Sequence, residues 1–203
     1  MQICISGIHT NTGKTHASAM LCKILKYDYY KLIQAGNPKD SQKILQFSPQ
    51  TTIHKEGYFL KTPASPHIGK QKENAKYHGL SLPIPSAKNL IIETPGGLFC
   101  PLDEQNFVID FLAHHKLPTF LVGKYYLGAI SHLFLSLEAL QKRKIQILGI
   151  LLCGEEDLSI SSFVRAHTNL PLLHLPFFDR ENFAIAQEIF HAQFKPLIHL
   201  HSL

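Results

Sequence analysis

The chain has 203 residues, of which 45% are hydrophobic and 17% charged; this is the balance of a folded globular protein and excludes a disordered one. Its net charge of +5 and pI near 9.0 come from scattered Lys and Arg. Lys142, Arg143 and Lys144 form the one tight cluster, at the end of a helical pattern where cations complement the helix dipole, so a nucleic-acid partner is not expected.

No apolar run reaches the ~18 residues of a membrane span. The N-terminus also lacks a charged segment followed by an apolar core and a cleavage site. A cytoplasmic protein without a membrane partner is expected, with residues 1–203 folding as a single domain.

The first apolar run, residues 3–6, is followed by Gly7-Ile8-His9-Thr10-Asn11-Thr12-Gly13-Lys14-Thr15-His16 and then by a helical pattern over residues 14–25. A strand feeding a Gly-rich loop that ends in Gly-Lys-Thr at a helix start is the context of a phosphate-binding loop. Backbone N–H groups of such a loop wrap the phosphates, Lys14 supplies charge, and Thr15 offers a hydroxyl to Mg²⁺. Gly7 and Gly13 are separated by five residues, where the usual pattern has four. A Gly turn with a surface lysine is the plainer alternative, and the position after the first strand favours the nucleotide site.

A second apolar run, residues 27–33, carries Lys31 and leads to Gln34-Ala35-Gly36, with Asp40 four residues on. Residues 38–85, broken by Pro49, Pro63, Pro66 and Pro83, are too long for a plain loop and read as a less regular inserted or edge subregion. The run at residues 89–92 ends in Glu93 and a turn, Thr94-Pro95-Gly96-Gly97.

Helical spacing over residues 104–115 precedes a strand at 119–122. The helix expected over 129–142 places Ile130, Leu133, Phe134, Leu137 and Leu140 on one face. A strand at 145–152 and helices at 159–167 and 181–190 complete the series. Short apolar runs alternating with helices predict an α/β fold, a mostly parallel central sheet with helices on both faces.

Ligands bind such sheets outside the C-terminal strand ends, so the phosphate loop, the Lys31 to Asp40 stretch and the Glu93 turn are expected to share one crevice. Asp40 and Glu93 could then join Thr15 as oxygen ligands of Mg²⁺. Taken singly, Asp40 also reads as a helix N-cap and Glu93 as a surface charge.

Cys4, Cys22, Cys100 and Cys153 form no C-x-x-C pair and read as reduced core residues. Among 13 histidines, His199 and His201 have the spacing of a metal clip, but no Cys or carboxylate accompanies them; surface or capping roles are the favoured reading.

The ordered set of the phosphate loop, Tyr30-Lys31-Leu32-Ile33-Gln34-Ala35-Gly36 with Asp40, Thr62-Pro63-Ala64-Ser65-Pro66-His67, and Glu93 with Gly96-Gly97-Leu98-Phe99-Cys100-Pro101-Leu102 resembles the dethiobiotin synthetases. Leu117-Pro118, Leu127-Gly128-Ala129-Ile130-Ser131-His132 and Leu175-Pro176-Phe177-Phe178 extend the resemblance over nearly the whole chain. It implies a P-loop NTPase-like ligase that makes dethiobiotin from 7,8-diaminononanoate, CO₂ and ATP, with Mg²⁺ as cofactor. Catalytic roles fall on Lys31, Lys14 and Thr10. Nucleotide contacts fall on residues 11–16, Asp40, Glu93, Gly96, Pro176, Phe177 and Phe178, and Mg²⁺ on Thr15, Asp40 and Glu93. The substrate meets Thr10 and Lys31, and its carboxylate meets Gly128, Ala129, Ile130 and Ser131 of the second subunit of a homodimer. A helix N-terminus suits a carboxylate physically; Gly128 also fits a simple turn.

In four places, covering six residues, the chain departs from the family pattern. Ala35 replaces a substrate-facing hydroxyl, Thr94-Pro95 replaces Gly-Ala, and Tyr126 replaces a lysine that often precedes Leu-Gly. Cys153-Gly154 stands where Asn-Asp commonly reads adenine, which predicts weak discrimination among nucleoside triphosphates. Two rival readings remain: a partition-type ATPase, in which a lysine would stand at His9, and a nucleotide-binding regulatory module without catalysis.

Overall fold

A computed structural model describes residues 1–201, and their side chains as far as residue 198; His199 and His201, the two histidines with metal-clip spacing, fall outside the described side chains. Strand β1 (Gln2–Gly7) lies inside a six-stranded sheet with β2 (Asp28–Lys31), β5 (Leu90–Gly97), β6 (Thr119–Lys124), β7 (Ile147–Cys153) and β8 (Leu172–Leu175), in the order β2-β5-β1-β6-β7-β8. Every pairing is parallel, as expected of apolar strands alternating with helices. Strands β3 (Ile33–Ala35) and β4 (Tyr58–Leu60) form a separate parallel pair.

The period of two along each strand feeds two cores. Ile3 and Ile5 join Met20 and Leu21 of α1 (Lys14–Leu25) and Phe190 and Phe194 of α7 (Phe183–His201) on one side. Cys4 points the other way, into a cluster with Phe111 and Leu112 of α4 (Val108–His115), Leu133 and Leu137 of α5 (Ala129–Lys142), and Val164 of α6 (Leu158–His167).

The expected bounds of α1 and α5 match. Helix α4 begins four residues later than its spacing predicts, because the preceding turn is held by Asp103, whose carboxylate accepts the N–H groups of Gln105 and Asn106 at 2.9 and 2.7 Å. The expected strand at residues 27–33 divides: β2 ends at Lys31, and Leu32 donates its N–H to the Glu93 carbonyl at 3.0 Å before β3 begins. The subregion at 38–85 contains α2 (Asp40–Phe47), β4, α3 (Pro66–Lys72) and a 3-10 turn at Gly79–Ser81. Helices α2 and α3 and strands β4 and β8 are too short for a clear periodic signal. Helix α7 extends beyond its expected end and holds Pro196 within it.

Candidate active site

The loop after β1 closes over the N-terminus of α1. Gly13 caps the helix with φ +96°, a left-handed backbone, and a Cβ there would lie 2.7 Å from the Cys153 sulfur. Gly7 leaves room for the returning loop, since a Cβ would come within 2.6 Å of the His9 carbonyl and 2.7 Å of Thr12 Oγ1. Lys14 is buried and donates to the His9 carbonyl at 3.3 Å, as does Thr12 Oγ1 at 3.3 Å. Burial, and after it the nearby Lys31 ammonium, lower the Lys14 amine to about 8 against the pull of Glu93 and Asp40. A cationic loop lysine held away from water is poised for an anion.

Parallel register sets Lys31 of β2 opposite Glu93 of β5. Lys31 Nζ lies 2.7 Å from Glu93 Oε1 and 2.5 Å from Asp40 Oδ2, the latter at the first residue of α2. Thr15 Oγ1 donates to Glu93 Oε1 at 2.9 Å, and the fully buried Tyr29 donates its hydroxyl to Oε2 at 3.0 Å. Burial opposes charge on Glu93, but the Lys31 ammonium outweighs it and lowers its pKa; for Lys31, burial is likewise overcome by Glu93 and Asp40, which raise it. The ionised state is therefore favoured for both partners. Among the described residues there is no cluster of three or more His, Cys, Asp and Glu side chains that could hold a metal. Two carboxylates and the Thr15 hydroxyl, converging from β5, α2 and α1, are instead the sparse, hard oxygen set that suits Mg²⁺, an ion that keeps several waters.

These groups line one crevice of about 1100 Å³ at the C-terminal ends of β1, β2 and β5. Its walls include Thr10, Asn11, Thr12, Gly13, Lys14, Thr15, His16, Lys31, Asp40, Glu93, Gly96 and Phe177, so the three sequence groups do meet. Pro176 does not line it. Phe178 turns into the core, packing on Phe47 and, at 4.9 Å between centroids, on His16. Burial, then the Lys43 ammonium, lower the His16 imidazole to about 4. Gly128, Ala129, Ile130 and Ser131 start α5 outside this crevice, and Ser131 lines a separate depression with Phe134, Leu135 and Glu138.

The departures from the family pattern have structural consequences. Ala35 lines the crevice and offers no hydroxyl. Thr94 is buried, and its hydroxyl oxygen lies within hydrogen-bond distance of the Ile5 carbonyl, at 3.2 Å, and of Ser6 Oγ, at 3.0 Å, so it ties β5 to β1 where their register shifts. The Lys124 amine lies 5.9 Å above the Tyr126 ring, and that ring packs edge-on against His9. The buried Cys153 thiol, which burial pushes up to about 12, faces the Gly13 carbonyl at 3.9 Å and props the phosphate loop from beneath.

Tyr29 and Lys43 also belong to the site, and no sequence motif marks them. The period of two places Tyr29 on the face of β2 that carries Lys31, which is the signal that finds it. Lys43 lies on a helix too short to be read from its pattern.

A parallel sheet whose first strand feeds a Gly-Lys-Thr loop at a helix N-terminus, faced by carboxylates from neighbouring elements, defines a P-loop nucleotide-binding protein. The fold agrees with two solved structures. A Borrelia burgdorferi protein described as a plasmid partition protein, bound to AMPPNP, matches with TM-score 0.56 at 10% identity over 100% of this chain and 99% of that one. The signal recognition particle receptor FtsY of Elizabethkingia anophelis matches with TM-score 0.50 at 13% identity over 92% of this chain and 64% of that one.

A family model described as an AAA domain matches residues 1–178. The chain is 49% identical over 200 residues, 98% of each chain, to the ATP-dependent dethiobiotin synthetase BioD of Campylobacter jejuni subsp. jejuni. It is 40% identical over 159 residues, 77% of this chain and 78% of the relative, to the enzyme of the same name from Lawsonia intracellularis. The chain belongs to the ATP-dependent dethiobiotin synthetase family.

Proposed function

We propose that this protein closes the ureido ring of dethiobiotin from 7,8-diaminononanoate and CO₂, consuming ATP and releasing ADP and phosphate, in biotin biosynthesis. Family membership supports the reaction. The observation that carries it to this site is the Lys31 ammonium held between Asp40 and Glu93, in the crevice that also holds the phosphate loop.

One amine of the diamine takes up CO₂ to form a carbamate. A carbamate oxygen attacks the γ-phosphorus of ATP, and ADP departs. The second amine then attacks the carbonyl carbon of the carbamoyl phosphate, closing the ring and expelling phosphate. No covalent protein intermediate is needed, so positioning and charge stabilisation carry the rate.

Lys31 stabilises the negative charge of the carbamate and the transferring phosphoryl group, and Lys14 supports the same charge from the loop side. Thr10 lines the diamine end. The N–H groups of residues 11–16 hold the phosphates, with Phe177 and Gly96 on the flanks. Thr15, Asp40 and Glu93 would hold Mg²⁺, which neutralises phosphate charge when bound with the nucleotide.

The start of α5, Gly128 to Ser131, does not line the crevice of its own chain, and this supports a homodimer in which it binds the substrate carboxylate of the neighbouring site. The chain works as a single domain in the cytoplasm, without nucleic-acid or membrane partners. Among the described residues, no helix is long and apolar enough to cross a membrane.

The test is phosphate release from Mg-ATP and bicarbonate with and without 7,8-diaminononanoate. Diamine-dependent release is expected; bound nucleotide without such release would refute the ligase reading.

A further inference from the structure

Three lysines line the crevice: Lys14, Lys31 and Lys43. The first two are committed, Lys14 to the His9 carbonyl and Lys31 to two carboxylates. Lys43 lies one helical turn beyond Asp40 on α2 and is partly buried. Among the described residues it forms no ion pair; its amine instead lies 3.3 Å from His16 Nδ1, an arrangement in which Lys43 donates and the neutral imidazole accepts. Lys39, at the start of the same helix, contrasts with it: its amine is 2.9 Å from Glu56 Oε1 and it does not line the crevice.

His16 fixes where the Lys43 ammonium sits. It occupies the first turn of α1, just past the Gly-Lys-Thr of the loop, with its ring 5.2 Å from that of Phe177. Lys43 thus flanks the first turn of α1 beside His16, while Lys31 is held directly between Asp40 and Glu93, where the transferred phosphoryl group is expected. The far side of the nucleotide has few polar readers here. The Cys153 thiol is turned under the loop toward Gly13, and Gly154 has no side chain. A cation without a carboxylate partner, beside a helix N-terminus, is a phosphate ligand in waiting.

We propose that Lys43, oriented by His16, is a nucleotide-binding residue that donates to the non-transferred phosphates, so that affinity rests on the polyphosphate and not on the base. This rests on the reading of the crevice as a nucleotide site. It deepens that reading by naming a third cation and the part of the nucleotide it holds.

The test measures Kd by calorimetry for Mg-ATP, Mg-CTP, Mg-GTP, Mg-ADP and inorganic tripolyphosphate, without diamine. Loss of one charge-assisted hydrogen bond predicts that Lys43→Met weakens all five by about tenfold or more. Lys43→Arg restores most of the affinity, because a guanidinium also serves phosphate. Lys39→Met, which removes the same charge outside the crevice, leaves every Kd unchanged.

An unchanged Kd in Lys43→Met overturns the proposal, and so does an equal loss in Lys39→Met, which would mean net charge alone. A loss confined to triphosphates, sparing ADP, overturns the assignment to the non-transferred phosphates. If Lys43→Met does not fold, Lys43→Gln is read in the same way. Failure of diamine-dependent phosphate release with these affinities intact counts against the ligase reading and leaves this one standing.

Discussion

Lys31 and Glu93 stand opposite one another in the parallel register of β2 and β5, their charged atoms 2.7 Å apart and both residues buried. Removing one partner of such a pair leaves an uncompensated charge, so function and stability are coupled here. Lys31→Ala is expected to reduce diamine-dependent phosphate release by at least about 10²-fold. It should also lower stability by about 3 kcal/mol, because Glu93 loses its cation. Single-turnover kinetics and urea denaturation measure the two effects; near-normal turnover would remove Lys31 from the mechanism.

Tyr29 is a positioning residue, since its hydroxyl holds Glu93 Oε2 at 3.0 Å from inside the core. Tyr29→Phe keeps the ring and removes that donor. We expect a stability loss of about 1 to 2 kcal/mol. The Mg²⁺ concentration for half-maximal rate should rise about tenfold, as it does when an outer partner of a metal-binding carboxylate is lost. A Mg²⁺ titration of the variant reads this, and an unchanged midpoint would make Tyr29 purely structural.

Cys153 supports the phosphate loop with its buried sulfur and Gly154 adds no side chain, so neither reads a base by hydrogen bonding. The kcat/KM values for ATP, CTP and GTP are expected to agree within about tenfold, since each missing base contact forgoes about 1.4 kcal/mol of discrimination. A strong ATP preference in that panel would mean that other groups recognise adenine.

Ser131 lies in the first turn of α5 and lines a depression separate from the crevice of its own chain. If this helix start serves the neighbouring subunit, Ser131→Ala raises KM for the diamine by about tenfold, the loss of one hydrogen bond to a carboxylate, and leaves KM for ATP unchanged. Equal effects on both constants would count against the shared carboxylate site.

Asp103 accepts the N–H groups of Gly79, Gln105 and Asn106 at 2.5, 2.9 and 2.7 Å and so anchors the irregular subregion to the loop after β5. Burial opposes its charge, but those N–H groups outweigh it and hold its carboxyl below the usual carboxylate range. The folded value is depressed, so this stabilisation is present above the unfolded pKa of about 3.9 and disappears as pH falls through the lower folded value. Asp103→Ala should cost about 3 kcal/mol near neutral pH. The gap between the urea midpoints of wild type and variant should narrow as pH falls below the ordinary carboxylate range; a constant gap would show that the charge is not what matters.

The family resemblance supplied the role of Lys31; the sequence by itself determined the α/β class, the two helices α1 and α5 to the residue, and the phosphate loop sharing a crevice with Asp40 and Glu93. These are legible because strand and helix periods, glycine placement and Gly-Lys-Thr are local properties of a chain. Tertiary structure alone decided that Lys31 is shared between Glu93 and Asp40, that Phe178 belongs to the core while Phe177 faces the crevice, and that Cys153 supports Gly13 from 140 residues away. It also placed α2, and with it Lys43. A short helix in a proline-broken stretch has no reliable period, and contacts between distant residues depend on strand order and packing, which no local pattern encodes.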